Sequence, residues 1–133
     1  MATRRQPDRA RFTSLSLVQS FARLTGWLFV LALVALSVIP GDLRPHTPLP
    51  GYSEHFAMYL GGCALLAVGY ERRIAGSVIA LGFGLGAVGL EIAQMLLPDR
   101  HPSLFDVLAS TGGAFLGAGL ARVFVLLWRR YLA

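Results

Sequence analysis

The chain has 133 residues, 55% of them hydrophobic and 14% charged, with twelve basic side chains against seven acidic ones and a net charge of +5. Soluble domains are usually about 45–50% apolar with about 25% charged residues. This composition leaves too little polar surface to coat a water-soluble globule, and the length fits one small domain.

The apolar residues fall into four blocks. They predict an all-α, polytopic membrane protein with transmembrane helices over 21–39, 53–70, 74–97 and 104–127, behind a basic cytoplasmic arm at 1–20. A helix needs about 20 residues to cross a hydrocarbon core of about 30 Å. The first, third and fourth blocks meet that length; the second is short by a few residues and thins the bilayer or begins near Tyr52. Nothing alternates as spanning strands would, and four strands could not close a barrel. The first block is followed by Ile39-Pro40-Gly41-Asp42 rather than a small-residue cleavage site. It also exceeds the apolar core of about 7–15 residues of a secretory signal, so it reads as a retained helix.

Orientation follows from the arginines, since the chain contains no lysine. Arg4, Arg5, Arg9, Arg11 and Arg23 lie at or before the first helix, Arg72 and Arg73 between the second and third, and Arg122, Arg129 and Arg130 at the end of the fourth. Only Arg44 and Arg100 fall on the other side. Arginine-rich short loops stay in the cytoplasm, so both termini are expected inside, in a bacterial inner (plasma) membrane. The positive charge is explained by topology and anionic lipid. Nothing aromatic or glycine-rich accompanies the basic arm, and no nucleic-acid partner is expected. Cys63 is the single cysteine; it can form no internal disulfide and offers no metal set, and no metal or cofactor is expected.

The opposite side gathers the polar chemistry: Asp42, Glu54, Glu91, Asp99 and Asp106, with His46, His55 and His101. The loop from Pro40 to Gly51 holds four prolines and reads as a stiff extended strap. In the third loop Pro98 is expected to end the third helix. Ser103 is expected to cap the fourth, with Asp106 three residues later in the capping-box position. Helical spacing puts His55 and Tyr59 on one face, Glu91 and Gln94 on a second, and Asp106 and Ser110 on a third. Glu91 lies seven residues before Pro98, about 10 Å below the expected helix end at 1.5 Å per residue. A carboxylate there must face the bundle interior or pair, and Arg100 and His55 are the nearest basic groups. The expectation is an outward-opening polar pocket of His55, Tyr59, Glu91, Gln94, Arg100 and Asp106, with Ser110 in the same network. Glu91, His55 and Asp106 are the candidate catalytic groups. Gly82 and Gly86, and Gly113 and Gly117, have the four-residue spacing that lets helices approach closely.

The stretch Glu91-Ile-Ala-Gln94-Met-Leu-Leu-Pro98-Asp-Arg100-His-Pro-Ser103-Leu-Phe-Asp106 resembles the signature of the VanZ-like family: E-x-x-Q, then P-x-R, then S-x-x-D, then a small-residue helix. The run from Ala109 to Gly117 resembles the fourth helix of that family, His55-Phe56 with Tyr59 its second-helix motif, and Ser37-Val38-Ile39-Pro40 the end of its first. The likeness covers roughly residues 24–120. Two departures stand out: Gly51-Tyr52 replaces the usual Asp-Lys pair, and Ser110 stands where Asn is frequent. The resemblance implies a four-helix membrane scaffold. It also implies a link to glycopeptide antibiotics, because the family's namesake is associated with resistance to lipid-tailed teicoplanin.

Three readings of the polar cluster follow. It is a buried network that fixes the bundle; or it binds, making the protein an accessory subunit of a larger membrane complex or a modulator of an envelope lipid or antibiotic; or it is enzymatic, acting on a lipid-linked envelope intermediate with Glu91 as acid or base. Binding is the reading adopted, with membrane lipids, a larger complex or a lipid-linked ligand as partners and homo-oligomerisation left open. No nucleophile elbow, metal motif or phosphate loop favours an enzyme.

Overall fold

The computed structural model describes residues 8–43, 48–98 and 100–132. Arg44, His46 and Asp99, and the middle of the proline-rich strap, lie outside the described residues, as do positions 1–7 of the expected arm. The fold is all-helical: α1 Asp8–Val38, a short 3-10 turn Gly41–Leu43, α2 Gly51–Gly69, α3 Gly76–Gln94 and α4 Leu104–Leu132. Segments Ser16–Val38, Gly76–Gln94 and Leu104–Tyr131 are long and apolar enough to cross a membrane. α2 carries Ser53, Glu54 and His55 near its start, which shortens its apolar stretch.

Local chemistry sets the helix ends. α1 stops ahead of Pro40, because the residue before a proline is pushed out of the helical region. At its other end it runs back to Asp8, through much of the segment expected to be an arm. α3 ends earlier than expected. The helix closes at Gln94, and Met95, Leu96 and Leu97 continue in tighter three-residue bonds to Ile92, Ala93 and Gln94. Pro98 therefore ends the turn rather than the helix. Glu91 consequently sits in the last turn of α3, about 5 Å from its end at 1.5 Å per residue, rather than deep in the bundle.

α2 and α4 pack along their length and form the central pair. α1 flanks α2, α3 flanks α4, and α1 touches α3 only lightly. The central contact is made by glycine. A Cβ on Gly113 or Gly117 would strike the carbonyl oxygen of Phe56 or Leu60 on α2. These are backbone atoms of a helix and cannot swing aside. α1 also meets α2 through glycine, but there a Cβ on Gly26 or Gly69 would first strike the side chain of Leu66 or Arg23, with the backbone nitrogen of that residue close behind. Leu33, Tyr59, Cys63, Ala80, Ala87 and Ala114, drawn from all four helices, form the buried cluster, and four of these six are alanine or cysteine.

Gly82 and Gly86 do not act as expected. Nothing lies within 4 Å of a Cβ built on either. α3 instead meets α4 through Gly84, beside the Thr111 side chain. Gly82 and Gly86 face a long apolar groove of about 500 Å³ between α1 and α3, floored by Tyr59 and Leu66 of α2. At the far end of the groove, Trp27 Nε1 donates to the Tyr70 hydroxyl at 3.1 Å and Arg23 stacks over the Tyr70 ring. At the same end Arg129 pairs with Glu71 at 2.6 Å.

The two glycine pairs should respond oppositely to one methyl group. Gly113→Ala should lower the unfolding midpoint in mild detergent, at a cost of at least about 1–3 kcal/mol for overpacking. Gly82→Ala should be neutral or stabilising by about 0.5–1 kcal/mol, the helical preference of alanine over glycine. A silent Gly113→Ala would contradict the close α2–α4 contact.

Candidate functional site

The end of the bundle where α1 and α3 finish and α2 and α4 begin carries the polar residues. Two groups form there. One is a triad from three helices: His55 of α2, Glu91 of α3 and Asp106 of α4 each place a nitrogen or oxygen atom within 4.8 Å of the others'. The other is a tie between α1 and the third loop.

The triad is positioned mostly by backbone. Ser103 caps α4, its hydroxyl accepting the Phe105 N–H at 3.2 Å, as an N-cap side chain does. In a capping box the residue three positions on would take the Ser103 N–H, but Asp106 does not. Glu91 does so from the neighbouring helix, its Oε2 accepting that N–H at 3.0 Å. One carboxylate thus satisfies the start of α4 from the end of α3. The Asp106 side chain is left to the triad and makes no hydrogen bond among the described residues.

His55 is fixed from two sides. Its Nδ1 lies 3.3 Å from Ser110 Oγ on α4, and its ring stacks on Tyr59 one turn on, with centroids 6.3 Å apart and planes 18° from parallel. The Tyr59 ring meets Phe83 of α3 edge-on at 5.8 Å. Ser110, which ties α4 to His55, is 1% exposed.

Arg100 and Gln94 make the tie. The Arg100 guanidinium donates from Nε to the Ile39 carbonyl at 3.0 Å and from Nη2 to the carbonyls of Leu36 and Ile39, both at 2.6 Å. Gln94 Nε2 donates to the Ser37 carbonyl at 3.2 Å. The last carbonyls of any helix lack intrahelical partners, and α1 has no basic residue in its last turn to supply them. Both side chains were expected in the pocket with Glu91; the structure turns their bonds onto α1 instead. The α1 carbonyls were missed as partners. Their signal was in the sequence, as a long helix stopped by Pro40 with no cation of its own.

His55, Tyr59, Gln94 and Arg100 line a cavity of about 370 Å³ with Leu33, Ser37 and Met58. Glu91 and Asp106 are not part of its wall. Leu33 and Tyr59 also line the apolar groove, so the two spaces share a boundary. The cavity wall is mostly apolar, with polar groups of Ser37, Glu54, His55, Gln94 and Arg100 set into it, so a ligand with a polar end and a chain could place the end among these groups and the chain in the groove.

No family model, no curated protein and no solved structure matches the chain.

Arg100→Ala should loosen α1 from the third loop, costing about 1.5–3 kcal/mol as for a hydrogen bond to a charged group. The check is thermal unfolding in detergent together with hydrogen exchange. Faster exchange should be confined to the end of α1; uniform exchange along α1 with an unchanged midpoint would refute the tie.

Proposed function

We propose that the chain is an integral membrane protein of the VanZ-like kind that binds an amphiphile, with the chain in the groove between α1 and α3 and the polar end in the adjoining cavity. The observation that carries this reading is the shared wall of groove and cavity at Leu33 and Tyr59. α2 is the fourth span in this reading, and the arginine distribution puts both termini in the cytoplasm, with the polar site at the outer face of the inner membrane. The groove would then open sideways to lipid, where an acyl or polyprenyl chain is the surrounding solvent. With its Nε and Nη2 donors and that of Gln94 engaged by α1 carbonyls, Arg100 offers an anionic head group its positive charge, and His55 lines the same cavity. An envelope lipid or a lipid-tailed glycopeptide has this two-part chemistry.

A second reading is favoured by Gly82 and Gly86, a bare small-residue strip facing the groove with nothing within 4 Å. Such strips admit a second helix at close range. The groove would then hold a transmembrane helix of a larger complex, and the protein would be its accessory subunit. Acid–base chemistry at Glu91 on a lipid-linked intermediate is the enzymatic alternative; a Glu91→Gln variant with full activity and normal expression would dismiss it.

Extraction in gentle detergent followed by native mass spectrometry separates the first two readings. The amphiphile reading expects a small species carrying one adduct of lipid mass, retained by the parent protein and lost from Gly82→Trp, which fills the groove. A stoichiometric assembly with a larger protein, and no adduct, would establish the subunit reading instead. A reporter fused in turn to each terminus and to the third loop should place only the loop outside.

A further inference from the structure

We propose that His55, Glu91 and Asp106 form a binding site for one divalent transition-metal ion of the zinc class. It deepens the amphiphile reading by placing a Lewis acid beside the polar cavity, though the site itself stands on the triad alone. The donor set is one imidazole and two carboxylates, drawn from three different helices, with donor atoms all within 4.8 Å of one another. Around a tetrahedral zinc with bonds of about 2.1 Å, donors lie about 3.4 Å apart. Rotation of side chains that are already convergent closes that difference.

The supporting contacts are those a metal site requires. Ligating imidazoles hold their second nitrogen on a hydrogen-bond partner, and ligating carboxylates are themselves anchored. His55 Nδ1 is engaged by Ser110 Oγ; in the tautomer that donates to Ser110, Nε2 presents its lone pair. Glu91 Oε2 is anchored by the Ser103 N–H. Its other oxygen has no hydrogen bond to a described residue, and neither does the Asp106 carboxylate. The local charge needs an answer as well. Two carboxylates with oxygen atoms within 4.8 Å of each other repel. A divalent ion satisfies both carboxylates and the imidazole at once.

Three protein ligands leave at least one coordination position open. His55 is both a ligand and a wall of the polar cavity, so the ion would adjoin that cavity. The ligand class for the open position is an anionic oxygen, phosphate or carboxylate, at the polar end of an amphiphile. The sequence hid this site because its donors are 36 and 15 residues apart in the chain (55 to 91, 91 to 106), with none of the short spacings by which metal motifs are read.

The test is metal binding by full-length protein in detergent, stripped with chelator and then titrated with Zn²⁺ and with Mn²⁺. Elemental analysis after desalting and the visible spectrum of a Co²⁺ form are the readouts. The expected result is close to one Zn²⁺ per chain, bound at least about tenfold more weakly in His55→Ala and in Asp106→Asn, the scale on which even supporting residues act. Asp106→Asn is the decisive variant, because its carboxylate holds no hydrogen bond whose loss would unfold the bundle. His101→Ala, an exposed histidine of the same loop, should bind as the parent does. Parent protein without stoichiometric metal, or equal binding in Asp106→Asn, overturns the site. Lipid-adduct retention and Zn²⁺ uptake are scored separately, so an adduct on protein that takes up no Zn²⁺ on titration sinks only the metal site, and Zn²⁺ uptake without an adduct sinks only the amphiphile reading.

Discussion

Gly113 and Gly117 rest on the backbone carbonyls of Phe56 and Leu60, and this contact fixes the register between α2 and α4. In a chain whose outer surface is as apolar as its interior, burial gives helices little reason to choose one register over another, and close packing of small residues decides it. The same face of α4 carries Asp106 and Ser110 above the two glycines, and the facing stretch of α2 carries His55 and Tyr59. A slip of one residue would separate Ser110 from His55 and dissolve the triad. Packing and chemistry are therefore written on one helical stripe.

The third loop is ordered by borrowed partners. Glu91 serves the first turn of α4, and Arg100 and Gln94 serve the last turn of α1. Each helix end meets its hydrogen-bonding requirement from another element. The price of an unmet backbone group is high where water is scarce, so these contacts hold α1, α3 and α4 together at one end. At the other end α1 and α3 stand apart, and the groove lies between them.

Much of this was legible beforehand. The four apolar blocks located four helices, three of which are long and apolar enough to span, and helical spacing paired His55 with Tyr59, whose rings stack. What spacing cannot supply is rotation about the helix axis. Gly82 and Gly86 carry the same i, i+4 mark as Gly113 and Gly117, yet one pair faces a helix and the other a groove. Arg100 looked like a counter-ion for Glu91 because the two are close in sequence; the unmet carbonyls of α1 compete for it and belong to residues some sixty positions away. The capping partner of Ser103 was misplaced for the same reason, since a capping box is a local pattern and Glu91 reaches Ser103 from another helix.

Cys63 lies in the buried cluster at 0% exposure and is the chain's sole thiol. A maleimide therefore has nothing to modify while the four helices stay together around it, and reacts once they part. The molecule thus carries its own spectator of bundle opening, silent in the folded state. Surface cysteines introduced elsewhere would report against a dark background, without first removing a native one.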